Sequence, residues 1–263
     1  MSALIIYDKI VHYEVLGRGR PIIFLHGWIG SWRYWIPAMQ KVSISFRAYA
    51  LDLWGFGDTS KDPYQYDVST QVELLVNFFL ELGIAKVALV GHGLGALVAI
   101  LFTRRFPAMV DRIMAVACPL NIQAIHERLR VSSPLELVEW LLNRNASSEP
   151  VRTDASKIDP QAVVRSFDMW NKIDIHSSLL DGIQTPCLLV HGQGDPAIKA
   201  PREDYLAALP LIFHNITFEQ AGHFPMLDKA QKFNNLLTDF MTLESGMSPR
   251  ELQLKEEWRR RMR

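Results

Sequence analysis

The residues able to do chemistry in this chain sit where apolar runs give way to small-residue turns. His26 follows Pro21-Ile22-Ile23-Phe24-Leu25. Asp195 follows Cys187-Leu188-Leu189-Val190-His191 and a Gly-x-Gly turn. His223 follows the run Asn215 to Phe218. An imidazole exchanges protons near neutral pH, so two histidines and a carboxylate in such loops are candidates for proton chemistry. Between them lies Val87 to Ala99. An apolar run stops at Gly91, the turn Gly91-His92-Gly93-Leu94-Gly95 follows, and an apolar helical run continues to Phe106. With serine at 93 the turn would read G-x-S-x-G, which lifts a hydroxyl nucleophile onto a sharp strand-to-helix bend. Position 93 is glycine, so no acyl-enzyme can form there.

Other chemistries fit less well. Cys118 follows a strand at the same presumed edge and could offer a substitute thiol, but a buried or pocket-lining cysteine is the ordinary role at such a place. Gly91-His92-Gly93-Leu94-Gly95-Ala96 also matches G-x-G-x-x-A, the dinucleotide fingerprint. The acidic residue that should end the next strand is missing, since Asp111 precedes that strand. His92 and His26 read as polar turn residues that hydrogen-bond locally. No pair of histidines has metal-ligand spacing, and neither a metal nor a cofactor is expected.

The elements that must position these residues follow from periodicity. Ile5 to Tyr7 and Ile10 to Val15 read as an antiparallel hairpin at a sheet edge. Continuous apolar runs at Pro21–Leu25, Phe46–Leu51, Lys86–Val90, Arg112–Ala117 and Cys187–His191 read as strands buried on both faces. Helices are expected over Trp32–Gln40 with Ser31 as cap and over Thr70–Leu82 from a Thr70/Glu73 capping box. Two more are expected over Pro201–Leu209 and from Asp228 to about Leu243. Residues 121–184 are more polar, mostly helical in pattern and without a core strand, with loop material at Asn145–Pro160. They predict a helical lid inserted into a core made of 1–120 and 185–244. The order argues an α/β fold, a mainly parallel twisted sheet with helices on both faces. Loops at the carboxyl ends of such strands converge, which would bring His26, Gly93, Asp195 and His223 to one edge.

Bulk properties bound the function. The chain has 263 residues with 28 basic and 28 acidic side chains, and that balance favours neither nucleic acid nor a membrane surface. Two cysteines, Cys118 and Cys187, are too few for a disulfide framework, and a cytoplasmic location is the default. The N-terminus lacks the pattern of a signal peptide, and no run is long enough to span a bilayer. The tail 245–263 interleaves Leu252, Leu254, Trp258 and Met262 with six basic residues. It reads as a solvated helix, with a contact to a partner or an anionic surface as the alternative. Core packing explains most tryptophans, while Trp28 and Trp140 are expected to line an apolar pocket.

His26-Gly27-Trp28, Asp52-Leu53-Trp54-Gly55-Phe56-Gly57-Asp58-Thr59-Ser60, the Gly91–Gly95 turn, His191-Gly192-Gln193-Gly194-Asp195 and Gly222-His223-Phe224-Pro225 occur in one order. In these motifs the chain resembles the capped α/β-hydrolases of the epoxide-hydrolase, haloperoxidase and C–C-hydrolase type, over about Ile10 to Leu243. The resemblance implies nucleophile, acid and base at Gly93, Asp195 and His223, and oxyanion donors at the backbone N–H groups of Trp28 and Leu94. It places His26, Gly27, His92, Cys118 and Trp140 as pocket or supporting residues. The departure at Gly93 leaves three readings open. His223, oriented by Asp195, works as a general base on a small apolar substrate without a nucleophile. Alternatively the protein is an inactive pseudo-hydrolase that binds such a molecule, or it is a serine esterase-type enzyme that lost its nucleophile at Gly93.

Overall fold

The computed structural model describes residues 2–168 and 179–252. In chain order the strands are β1 (Ser2–Ile6), β2 (Lys9–Gly17), β3 (Arg20–Leu25), β4 (Phe46–Leu51), β5 (Val87–His92), β6 (Val110–Val116), β7 (Cys187–Gly192) and β8 (Phe213–Phe218). The core helices are α1 (Ile36–Val42), α2 (Val68–Leu82) and α3 (Leu94–Arg105). Between β6 and β7 come α4 (Arg128–Val131), α5 (Pro134–Leu141), α6 (Glu149–Ala155) and α7 (Pro160–Ser166). The chain continues with α8 (Glu203–Ala208), α9 (Pro225–Asp228) and α10 (Ala230–Thr242).

These strands form one sheet in the order β1-β2-β4-β3-β5-β6-β7-β8. β1 and β2 pair antiparallel, as does β2 with β4, and every other pairing is parallel. The expected edge hairpin is therefore present. All six residues of β5 and of β7 are buried, which is why their sequences are continuous apolar runs rather than alternating ones. β3→α1→β4 runs one way across the sheet, whereas β4→α2→β5 and β5→α3→β6 run the other way. Right-handed crossovers then put α1 on one face and α2 and α3 on the opposite face. α1 packs with α10, and α2 packs with α3. β3 lies between β4 and β5, so the direction reverses at the β3/β5 pair. The crevice outside such a switch point is where α/β sheets hold ligands.

Several element ends differ from expectation for local reasons. Ser31 does accept the Arg33 N–H, but it opens a 3₁₀ turn over Trp32–Trp35, and α1 starts only at Ile36, next to Pro37. α2 begins two residues before Thr70. The Thr70 hydroxyl donates to the Gln65 and Asp67 carbonyls, so it secures the turn before the helix instead of capping it. Asp228 closes the short α9 and accepts the Gly222 N–H at 2.8 Å, so α10 begins without it. Within the stretch read as loop, residues 149–155 form α6. The described part of the tail holds a 3₁₀ turn, Pro249–Glu251, whose Arg250 donates to the Phe213 carbonyl at 2.9 Å. Leu254, Trp258 and Met262 lie outside the described residues.

Candidate functional site

Gly93 stands between β5 and α3 with φ +50° and ψ −109°, a conformation that a side chain would strain. Its N–H donates to the Val116 carbonyl at 2.8 Å, which pins the turn to β6. Close packing holds it from the other side. Gly95 donates to the His26 carbonyl at 3.0 Å, and a Cβ on Gly95 would fall 2.4 Å from the Leu25 carbonyl oxygen. The backbone therefore makes a sharp strand-to-helix turn at Gly93 that is packed closely from both sides. The space in the direction of an absent Cβ at Gly93 is not open. The ring edge of Trp28 lies 2.9 and 3.0 Å from that position, so the indole closes the space beside Gly93 in that direction.

Trp28 is fixed by the segment between β6 and β7. Its indole N–H donates to the Ser166 hydroxyl at 2.8 Å, and its ring stacks on Phe167 at 5.2 Å with planes 12° apart. Among the described residues no acceptor takes the N–H of Trp28 or that of Leu94, the first of α3. The same segment reaches the loop after β3 through Asp154, which is buried on α6. Asp154 accepts from the Ser31 hydroxyl and pairs with Arg33 at 3.1 Å.

The loops after β7 and β8 bring Asp195 and His223 together. His223 Nδ1 lies 2.9 Å from Asp195 Oδ2, and both side chains are almost fully buried. The second carboxylate oxygen, Oδ1, accepts the N–H groups of Ala197 at 2.8 Å and Ile198 at 3.1 Å. Burial alone would raise the Asp195 pKa. The His223 ring and the two backbone donors outweigh it and hold the carboxyl below the usual range. A carboxylate held in this way fixes the proton of His223 on Nδ1 and leaves Nε2 as the basic nitrogen. Among the described residues Nε2 has no hydrogen-bond partner.

The supporting residues divide. His26 donates from Nδ1 to the Gly27 carbonyl at 2.8 Å and accepts the Leu53 N–H on Nε2 at 3.0 Å, which ties the loops after β3 and β4. Burial lowers its pKa, so it is a neutral linker. His92 bonds to the His223 main chain and to Tyr34, a residue that sequence reasoning missed. Tyr34 is hidden in the aromatic run Trp32–Trp35, and no local signal separates it from core. Cys118 is fully buried and burial pushes its thiol pKa far up, the setting of an inert thiol rather than a nucleophile. Trp140 does not join the cluster. Its ring contacts are His126 at 5.1 Å and Arg128 at 5.0 Å. It lines a groove of ≈ 580 Å³ with Gln193, Gly194, Gln220 and Gly222, on the outer flank of the Asp195 and His223 loops.

His12, Asp52 and Asp58 come close enough to share a cation, with ligand atoms within 4.8 Å. These atoms already hold one another and the backbone. Asp52 accepts from Trp32, Asp58 and His12, and Asp58 pairs with Lys157 at 2.8 Å. The group reads as the latch of the glycine loop.

A model of the alpha/beta hydrolase family matches residues 22–236. A pimeloyl-[acyl-carrier protein] methyl ester esterase of Vibrio cholerae is 22% identical over 256 residues, covering 88% of this chain and 98% of that protein. Among solved structures, the meta-cleavage product hydrolase CumD of Pseudomonas fluorescens IP01 superposes with a TM-score of 0.78 at 22% identity, covering 92% of this chain and 97% of the other. An epoxide hydrolase of Bacillus megaterium superposes with a TM-score of 0.75 at 19% identity, covering 92% and 100%. Identities this low show a shared fold. The family match extends from β3 into α10, across every loop that contributes to the site, and the chain belongs to the α/β-hydrolase family.

Proposed function

We propose that this protein binds a small, mainly apolar molecule at the carboxyl ends of β3, β5, β7 and β8 and acts on it through His223 as general base, without a covalent intermediate. The observation that carries this reading is the Asp195–His223 pair, with its carboxylate anchored by two backbone N–H groups and its Nε2 unspent. His223 takes a proton from the substrate or from a water attacking it. Asp195 stays ionised and stabilises the imidazolium. Charge developing on the substrate oxygen falls to the N–H groups of Trp28 and Leu94. The helices between β6 and β7 serve as a cap, and the apolar rings of Trp28, Phe167 and Phe224 suit an apolar ligand. Methyl esters and meta-cleavage products, the substrates that the names of two of the relatives above carry, are the classes to try first.

Purified protein assayed on a panel of small esters, epoxides and C–C bond substrates tests this. Turnover is expected, and His223→Ala is expected to lower it by about 10²–10⁴-fold. Turnover that survives His223→Ala overturns the general-base role. A second reading, a non-catalytic ligand-binding member, is favoured by the Trp28 ring edge that closes the space at Gly93. Saturable binding of panel compounds with no turnover of any of them selects it.

A further inference from the structure

His92 occupies the position before Gly93, and both of its ring nitrogens are committed. Nε2 lies 2.9 Å from the carbonyl oxygen of His223, and Nδ1 lies 3.0 Å from the Tyr34 hydroxyl. A carbonyl can only accept, so Nε2 carries the ring proton and Nδ1 is the bare nitrogen. Tyr34 must then donate its O–H to Nδ1. The same hydroxyl accepts the Gly27 N–H at 2.7 Å, and a backbone N–H can only donate. Three hydrogen bonds therefore run in one direction, from the Gly27 N–H through Tyr34 and the His92 ring to the main chain of His223. All four residues are buried. The chain starts one residue before the Trp28 N–H and ends on the base.

We propose that Tyr34 and His92 are positioning residues for the reaction at His223: the one-way chain sets the loop carrying the Trp28 N–H against the loop carrying His223, and it keeps His92 in the uncharged Nε2–H form, so that a proton taken at the site resides on His223 alone. The proposal rests on the general-base reading of His223. The proton leaves the substrate or water for His223 Nε2, and its bonding electrons stay on the oxygen or carbon it left. Asp195 remains a carboxylate, and His92 neither gains nor loses a proton.

The surroundings explain why His92 has to stay neutral. Its ring centroid is 4.6 Å from that of His223, so a second imidazolium would oppose the first. The titratable groups facing it are Tyr34 from the 3₁₀ turn, His26 from the loop after β3, and His223 from the loop after β8, which is paired to Asp195. Phe224 packs on the ring at 4.7 Å. No carboxylate contacts His92 among the described residues. Burial first, then the neighbouring His223 and His26 rings, push its pKa well below the ordinary histidine value.

Nitrogen NMR of ¹⁵N-histidine-labelled protein tests the chain without any substrate. His92 is expected to show one protonated and one bare nitrogen, Nε2–H and Nδ1, unchanged between about pH 5 and 8. Tyr34→Phe removes one oxygen. It is expected to give a tautomer mixture or a titrating ring at His92, and to shift the Nδ1–H signal of His223. His92→Gln, which keeps an N–H for the His223 carbonyl, is expected to preserve that signal, and His92→Leu to lose it. If turnover is found, kcat in Tyr34→Phe and His92→Leu is expected to fall about tenfold to a hundredfold at unchanged KM, with recovery in His92→Gln. A wild-type His92 that carries its proton on Nδ1, or that titrates in this range, overturns the proposal even if the variants fail to fold. So does a His223 signal that ignores both Tyr34→Phe and His92→Leu. Absence of turnover with the expected spectra would remove the general-base reading and leave the hydrogen-bond chain standing.

Discussion

At φ +50° and ψ −109°, a side chain at position 93 would hold backbone strain that glycine avoids, and its Cβ would press on the Trp28 ring. Gly93→Ser is therefore expected to lower the unfolding free energy by about 1–3 kcal/mol, read by urea denaturation. On the function proposed above, the same substitution puts a hydroxyl where His223 would serve as its base and the Trp28 and Leu94 N–H groups as its donors. Labelling by a fluorophosphonate probe is expected to appear in Gly93→Ser and to be absent from the wild type. A folded Gly93→Ser protein that stays unlabelled shows that the base or the donors are misplaced. The turn at position 93 was legible from sequence because an apolar run stops at Gly91 and a second one starts at Leu94, and the structure puts β5 and α3 there. Tyr34 was not, because its role depends on three loops meeting and its own neighbours are ordinary core aromatics.

Among elements, the sheet was legible and the ends of helices less so. β3, β5 and β7 are buried on both faces, and burial on both faces leaves an uninterrupted apolar run in the sequence. Helix starts depend on which neighbour a hydroxyl or carboxylate finds. Thr70 turned back to Gln65 and Asp67, and Asp228 turned to Gly222, so neither capped the helix its spacing suggested. The clamp between α6 and the loop after β3 lay beyond sequence reasoning altogether, since Asp154 and Arg33 are 121 residues apart. Asp154 is buried and accepts from Ser31 and Arg33, while Lys157 of the same segment reaches Asp58 at 2.8 Å. Asp154→Ala is expected to destabilise the chain by about 1–3 kcal/mol, because the Ser31 hydroxyl loses its acceptor. Arg33 is partly exposed and can turn to water, which keeps the loss at that level. Limited proteolysis is expected to cut residues 121–168 faster in this variant while the sheet stays protected. An unchanged cleavage pattern would show that Asp154 does not hold the segment down.

For the whole molecule, the buried histidines decide how stability responds to acid. Burial lowers the pKa of His26, His92 and His191 in the folded chain. Each is neutral when folded, while the unfolded chain binds its proton at the ordinary value of about 6.5. Their contribution is present in full above that value and is lost as pH falls from it toward the folded values. His12 acts in the opposite sense. Burial opposes its charge, but the Asp52 hydrogen bond and carboxylate prevail and raise its pKa. That contribution is present below about pH 6.5 and is lost as pH rises through the folded value. His214 is lowered by burial as well, and four histidines against one leave net proton uptake on unfolding in mild acid. Each can contribute up to roughly 1.4 kcal/mol per pH unit, so stability is expected to fall between pH 6.5 and 5.5. Further acid then adds the carboxylates. Asp195 is held low against burial by His223, and Asp58 against burial by Lys157, so their contributions are present above about pH 4 and are lost as pH falls through the folded values. Urea midpoints measured at half-unit steps from pH 7.5 to 4 check the sum. They are expected to drop steadily from about pH 6.5. A midpoint that is flat or rising between pH 6.5 and 5.5 would mean that at least three of the four histidines lowered by burial are charged in the folded protein. A proton on His92 would also break the one-way hydrogen-bond chain that ends on His223.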